Sequence, residues 1–255
     1  MVTYRTPREL DVMREAGRVV AHALAAVQEA AEPGVSLLEL DAVAARVIAK
    51  MDARPSFLGY HPGWAPIPYP GVVCLSVNDV VVHGLPDGRV LREGDLLSAD
   101  CGAEVGGYHG DAAVTFAVGA ADEAGKRLVD TTRLALERAI EAARPGGRMG
   151  DIAHAVERTA REAGYGVLEG CGGHGIGTAM HEDPPVPNTG RAGRGLRLRE
   201  GLAIAIEPMF HEGGRDEAWT MDDGWSIATA DGSRAAHFEH SLAITADGPV
   251  VLTLP

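Results

Sequence analysis

A chain of 255 residues can bury a sizeable core, as one large domain or two small ones. Its formal net charge of −13, from 36 acidic and 23 basic residues, opposes a general nucleic-acid binder, which carries a basic face. No apolar run approaches the roughly 18 residues of a membrane span, and Met1 to Glu15 mixes Arg and Glu without the apolar core of an export signal.

The first predicted element is a helix from Pro7 to Glu32, stopped by Pro33-Gly34. Ser36 and Glu39 have the Ser-x-x-Glu spacing of a capping box and open a second helix that runs to about Met51. The segment from His61 to Gly71 holds four prolines with Trp64 and Tyr69, which predicts a rigid, irregular surface loop. Strands follow at Val72 to Val77, Val80 to His83, Asp95 to Gly102 and Ala112 to Val118. A helix from Asp122 to Arg144 ends at Pro145-Gly146-Gly147, and another runs from Gly150 to about Gly164. The last predicted strands are Leu202 to Ile206, Trp225 to Thr229 and His237 to Thr245.

The order helix, helix, strands thus occurs twice, an α+β pattern. Pro33-Gly34-Val35 with Glu39-Leu40 aligns with Pro145-Gly146-Gly147 with Asp151-Ile152 at a constant offset of 112 (145 − 33 and 151 − 39). This predicts a single domain of two related halves, about 7–118 and 119–255, with a cleft at their junction. The three cysteines, Cys74, Cys101 and Cys171, form no disulfide framework and no CxxC pair, which suits a reducing cytoplasm.

The residues that carry chemistry are acids in unfavourable places. Asp100 interrupts an apolar strand, and Glu207 ends Leu-Ala-Ile-Ala-Ile-Glu. Such acids are costly unless paired or bound to a cation. Asp111, in His-Gly-Asp, and Glu239, in Phe-Glu-His, add two more carboxylates. His174 lies among glycines that permit close backbone approach. Any one of these alone is commonly a structural residue. Together, four carboxylates and one imidazole form a sensible shell for two divalent ions sharing a water, with the ions roughly 3.5–4 Å apart. Gly170 to Gly175 matches GxGxxG, but His181-Glu182-Asp183-Pro184-Pro185 cannot supply the helix that a dinucleotide site needs. Cys171-x-x-His174 has no second pair to complete a structural zinc site.

Six ordered motifs resemble type I methionine aminopeptidase, from about Pro7 to Leu254. They are Asn78-Asp79-x-x-x-His83-Gly84, Asp100, His109-Gly110-Asp111, Gly173-His174-Gly175-Ile176-Gly177, Ile206-Glu207-Pro208-Met209 and Phe238-Glu239-His240. The resemblance implies the pita-bread fold of the M24 metallopeptidases, two pseudo-symmetric helix-helix-sheet halves around a curved antiparallel sheet. It implies two divalent ions (Co, Mn, Fe, Zn or Ni) held by Asp100, Asp111, His174, Glu207 and Glu239. Asp111 and Glu239 would bridge, with Asp100 on one ion and His174 and Glu207 on the other. His83 and His181 match non-ligand histidines that contact the first peptide unit, and Glu207 matches the proton shuttle. The implied methionine pocket has Phe57, Tyr60, Tyr69, Cys74, Met180 and Trp225 as walls. Phe57 replaces a smaller residue, and the loop to Gly71 is several residues longer than usual. The activity so implied is hydrolytic removal of N-terminal methionine before a small second residue. The implied setting is a cytoplasmic monomer acting on peptides or nascent chains near the ribosome, with no nucleic acid or membrane bound. The rival readings are a proline-specific aminopeptidase or prolidase on the same fold, and a non-catalytic binding protein.

Overall fold

The computed structural model describes every residue from Met1 to Pro255. Its four helices are α1 (Pro7–Ala30), α2 (Leu37–Lys50), α3 (Glu123–Ala142) and α4 (Met149–Ala163), all ending within two residues of their predicted limits. The caps explain these starts. Ser36 Oγ accepts the Glu39 N–H at 3.3 Å while Glu39 Oε2 accepts the Ser36 N–H at 2.8 Å. Thr6 and Glu9 do the same ahead of α1, and Asp122 accepts the Gly125 N–H at 2.7 Å ahead of α3. α4 begins after Arg148, whose N–H donates to Asp151 Oδ2 at 2.8 Å, and it ends at Gly164 with φ of 80°.

The first half contains strands β1 (Arg54–Pro55), β2 (Val73–Val77), β3 (Val80–Val82), β4 (Leu96–Val105) and β5 (Tyr108–Ala117). The second contains β6 (Gly166–Val167), β7 (Gly172–Gly175), β8 (Glu182–Pro187), β9 (Ala203–Ile206) and β10 (Met209–His211). It continues with β11 (Ala218–Thr220), β12 (Ile227–Thr229), β13 (Ala235–His237), β14 (Glu239–Thr245) and β15 (Gly248–Val251). The main sheet runs β1-β4-β5-β14-β9-β7-β8, with β2 on β4 and β15 on β14, and its pairings are antiparallel. No helix is long and apolar enough to cross a membrane.

Two predicted strands need correction. Trp225 precedes β12, because Asp223 Oδ1 accepts both the Trp225 and Ser226 N–H groups at 2.8 Å and makes a turn there. The expected run from His237 to Thr245 is two strands in different sheets. His237 pairs with Met209 in a small sheet and Glu239 with Ala113 in the main one, so the chain changes sheets at Phe238.

The two halves share a hydrogen-bond pattern. Gly34 N–H donates to Leu91 O, as Gly146 N–H does to Leu198 O. Leu91 N–H returns to Val35 O, as Leu198 N–H does to Gly147 O. Gly34 and Gly146 both take the left-handed conformation after a proline, with φ of 100° and 86°. One core of 22 buried residues packs α1 and α2 on the β4 side, and another of 22 packs α3 and α4 on the β9 side. A cluster of 11, including Phe57, Tyr69, Cys74, Met180 and Trp225, fills the junction between them.

Candidate metal centre

Five strands adjacent in the main sheet, β4, β5, β14, β9 and β7, each deliver one polar group to the junction. Asp100 is on β4, Asp111 on β5 and Glu239 begins β14. Glu207 immediately follows β9, and His174 is on β7. The register aligns them: Asp100 pairs with Ala113, and Ala113 pairs with Glu239 on its other side. The alanine methyl leaves the space between these two carboxylates open. Asp111 lies two residues along β5, on the same face as Ala113. The β5–β14 junction is clamped, because Ser241 Oγ donates to Asp111 O at 2.8 Å and accepts the Asp111 N–H at 2.9 Å.

The acids are buried, Asp111 to 3% and Glu239 to 2% exposure. Asp100 Oδ1, Asp111 Oδ1 and Glu239 Oε1 accept no hydrogen bond. Buried, unpartnered carboxylate oxygens facing one another require protons or a cation. Burial holds Asp100 and Glu239 well above the usual carboxylate range, and the neighbouring acids push them further. Burial also raises Asp111, with His174 opposing. For Glu207 burial acts upward, but the imidazoles of His237 and His174 outweigh it and lower the carboxyl. His174 shows the reverse balance: burial lowers it, yet Asp111 and Glu207 raise it overall. Its Nε2 stands 3.7 Å from Asp111 Oδ2 and 3.8 Å from Glu207 Oε1. Two groups, Asp111–His174–Glu239 and Glu207–His237–Glu239, each bring their donor atoms within 4.8 Å of one another. Oxygen donors with imidazole nitrogen suit a divalent metal.

Beside these groups opens a cleft of about 780 Å³, whose walls include all five together with His83 and His181. His181 lies against His174, ring centroids 4.2 Å apart, and stacks on Tyr60 at 5.3 Å. Burial lowers His181 to about 3 and His83 to about 4, so both are neutral imidazoles. His83 has a left-handed backbone with φ of 60°, a conformation costing roughly 1–3 kcal/mol away from glycine. Phe57, Tyr60, Tyr69, Cys74 and Trp225 line the cleft. Tyr69 and Trp225 meet edge to face at 5.0 Å. Tyr69 is fixed by donating to Gly84 O at 2.8 Å, and Trp225 Nε1 by donating to Ile67 O at 3.0 Å. Met180 is not on the wall: it is buried in the junction cluster behind Gly102, where an added Cβ would lie 3.0 Å from Met180 Cε.

The long loop brings both of its aromatics to the cleft, Tyr69 at its base and Trp64 at its rim. Trp64 is 60% exposed and stacks on His83 with centroids 6.1 Å apart. Sequence reasoning left out Val82, Cys171, Met209, Thr220 and Ile227 on the walls. Single apolar residues in short strands carry no mark that separates a wall from a core. It also left out His237, whose only signal was its spacing two residues before Glu239 on an extended segment.

The model of metallopeptidase family M24 matches residues 11–246. Methionine aminopeptidase 1 of Mycobacterium tuberculosis is 49% identical over 261 aligned positions, which cover 100% of this chain and 96% of that protein. The crystal structure of methionine aminopeptidase from Thermotoga maritima superposes with a TM-score of 0.96 at 42% identity, covering 100% of both chains. Prolidase from Pyrococcus furiosus shares the fold with a TM-score of 0.77, but at 22% identity and over only 65% of its own chain. The fold is therefore the pita-bread α+β fold expected from the motifs. With its carboxylates and imidazoles gathered at the junction of two helix-backed halves, the chain belongs to metallopeptidase family M24, and within it to the methionine aminopeptidases.

Proposed function

We propose that the chain hydrolyses the peptide bond after an N-terminal methionine, with two divalent ions held by Asp100, Asp111, His174, Glu207 and Glu239. The observation that carries this reading is the row of five groups from five adjacent strands, with unpartnered buried oxygens, opening into an aromatic-walled cleft. Bound there, such ions would supply an activated water and polarise the carbonyl under attack.

The chain's own residues then have distinct tasks. The free α-amino group is taken near Asp100, which favours cleavage at the chain end. Phe57, Tyr69, Cys74 and Trp225 receive the methionine side chain, whose thioether is attracted to aromatic edges. His181, a neutral imidazole beside His174, donates an N–H to the carbonyl oxygen as charge develops on it. His83, also neutral, contacts the peptide unit. Glu207 is the ionised acid of the group, and its Oε1 accepts the water proton and returns it to the leaving amine.

On this reading one domain is made of two related halves, meeting where the five groups meet. The donor set accepts Co, Mn, Fe, Zn or Ni, with cellular supply deciding among them. The same reading has the enzyme work as a cytoplasmic monomer on nascent chains near the ribosome. Hydrolysis of Met-Ala-Ser is the test, measured against Ala-Pro peptides after loading with cobalt or manganese. Preference for the Pro peptide would replace this reading with a proline-specific one.

A further inference from the structure

His237 is buried to 1% exposure, and neither of its ring nitrogens makes a hydrogen bond. An imidazole sealed from water without a partner is costly. Its nearest polar neighbours are the acids of the centre: Nε2 stands 3.5 Å from Glu207 Oε2 and 3.9 Å from Glu239 Oε2.

The register explains why a ring points there. Gly102 pairs with Asp111, and 107 and 126 residues later Met209 pairs with His237 (209 − 102 and 237 − 111). The backbone clamps repeat as well. Ser241 Oγ accepts the Asp111 N–H and donates to Asp111 O. Thr115 Oγ1 likewise accepts the His237 N–H at 2.8 Å and donates to His237 O at 2.7 Å. Thr115 and Ser241 are also 126 residues apart (241 − 115). Asp100 and Glu207 are related by the same 107 (207 − 100). His237 thus occupies, beside Glu207, the position that Asp111 occupies beside Asp100.

A fifth carboxylate at this point would add repulsion to four that already crowd the junction. An imidazole supplies a donor instead. Glu207 turns Oε1 toward His174 and Oε2 toward His237, so the two rings divide its oxygens. We propose that His237 is the positioning residue of Glu207: its Nε2–H serves as the partner of Oε2, 3.5 Å away, and this keeps Oε1 turned toward His174 and the cleft, where divalent ions would be held. This rests on the role given above to Glu207. Partners that orient a metal-binding carboxylate commonly contribute 10- to 100-fold in affinity or rate.

The test compares His237→Leu, which removes the donor, with His237→Gln, whose side-chain amide reaches a similar point and can donate. Manganese affinity of the metal-free protein is measured by calorimetry, and kcat and KM are measured on Met-Ala-Ser with saturating manganese. The Leu variant is expected to lose about 10- to 100-fold in affinity and kcat with KM changed less than about threefold, and the Gln variant to recover most of both. A Leu variant within threefold of the parent in both quantities, or a Gln variant no better than Leu, overturns the assignment. If the Leu variant does not fold, His237→Asn takes its place, because its shorter amide falls short of Glu207 and must show the same loss. Should the parent protein bind manganese yet leave N-terminal methionine intact, the function fails, while the affinity comparison still decides the role of His237.

Discussion

The imidazole of His181 packs against that of His174 at a centroid distance of 4.2 Å, both rings line the cleft, and His174 Nε2 also stands 3.7 Å from Asp111 and 3.8 Å from Glu207. Their protonation equilibria are pushed in opposite directions because their surroundings differ. Asp111 and Glu207 raise His174 against its burial, whereas burial lowers His181 to about 3, with the His174 ring adding to that effect. His181→Ala should therefore lower kcat on Met-Ala-Ser by about 100- to 1,000-fold, the usual effect of losing one oxyanion donor. KM and manganese affinity should change little. Steady-state kinetics with calorimetry will check this, and a large loss of metal affinity would show that His181 acts on the ions.

Glu207→Ala or His174→Ala should reduce kcat by at least about 100-fold while leaving the far-ultraviolet circular dichroism spectrum unchanged. Each side chain sits at the junction, outside the two 22-residue cores that hold the halves together. Full activity in either variant would remove that residue from the centre.

Metal binding should release protons. In the metal-free protein Asp100 and Glu239 are raised well above the ordinary carboxylate range, chiefly by burial. An arriving cation displaces the protons they retain. Apparent affinity should thus rise with pH between the ordinary carboxylate range and the raised values, and weaken as pH falls through the same window. The sign for stability is opposite: raised acids stabilise the metal-free fold at low pH, and that contribution is lost as pH rises through their folded-state values. Calorimetry in buffers of different ionisation enthalpy counts the protons at each pH above the ordinary carboxylate range, and a count of zero throughout would contradict the raised values.

Second-residue selectivity should be strong. The cleft is bordered by Tyr60 stacked on His181 and by Trp64 stacked on His83. Met-Ala and Met-Gly peptides should be cleaved at least about tenfold better than Met-Leu or Met-Phe, a discrimination of about 1.4 kcal/mol. Equal rates across the series would argue against a confined second site.

Gly17→Ala should destabilise the protein by about 1–3 kcal/mol or more, since overpacking at a fixed backbone contact costs that much. A Cβ at this point of α1 would lie 2.1 Å from Leu252 O, a backbone atom that cannot move aside alone. Urea denaturation measures the effect, and an unchanged midpoint would mean that α1 packs more loosely than its contacts indicate.

Much of this architecture was legible in the sequence wherever local chemistry sets the structure. Helix ends followed from Ser36 with Glu39, from Asp122 and from Pro-Gly pairs, because capping and backbone restriction act within a few residues. Asp100 and Glu207 stood out because an acid in an apolar strand demands an explanation. β7 and β8 were not legible. Gly-Gly-His-Gly has little strand propensity, and Glu182–Pro187 contains three prolines. β8 is a strand because it lies at the end of the sheet order, where prolines are tolerated. The change of sheet at Phe238 was hidden for another reason. The segment alternates like one continuous strand, and only its partners, Met209 on one side and Ala113 on the other, divide it.

The attachment of β7 to β9 has its own consequence. A single register pair, Gly175 with Ile204, joins these strands, whereas Ala203 to Ile206 all pair with β14. His174 is therefore contributed by a strand tied to the other four through one register pair. Loss of catalysis on heating should begin with that strand lifting away, before either helical layer melts. A cation held by His174 and by acids on the neighbouring strands would tie β7 to them, so added manganese should raise the temperature at which activity is lost.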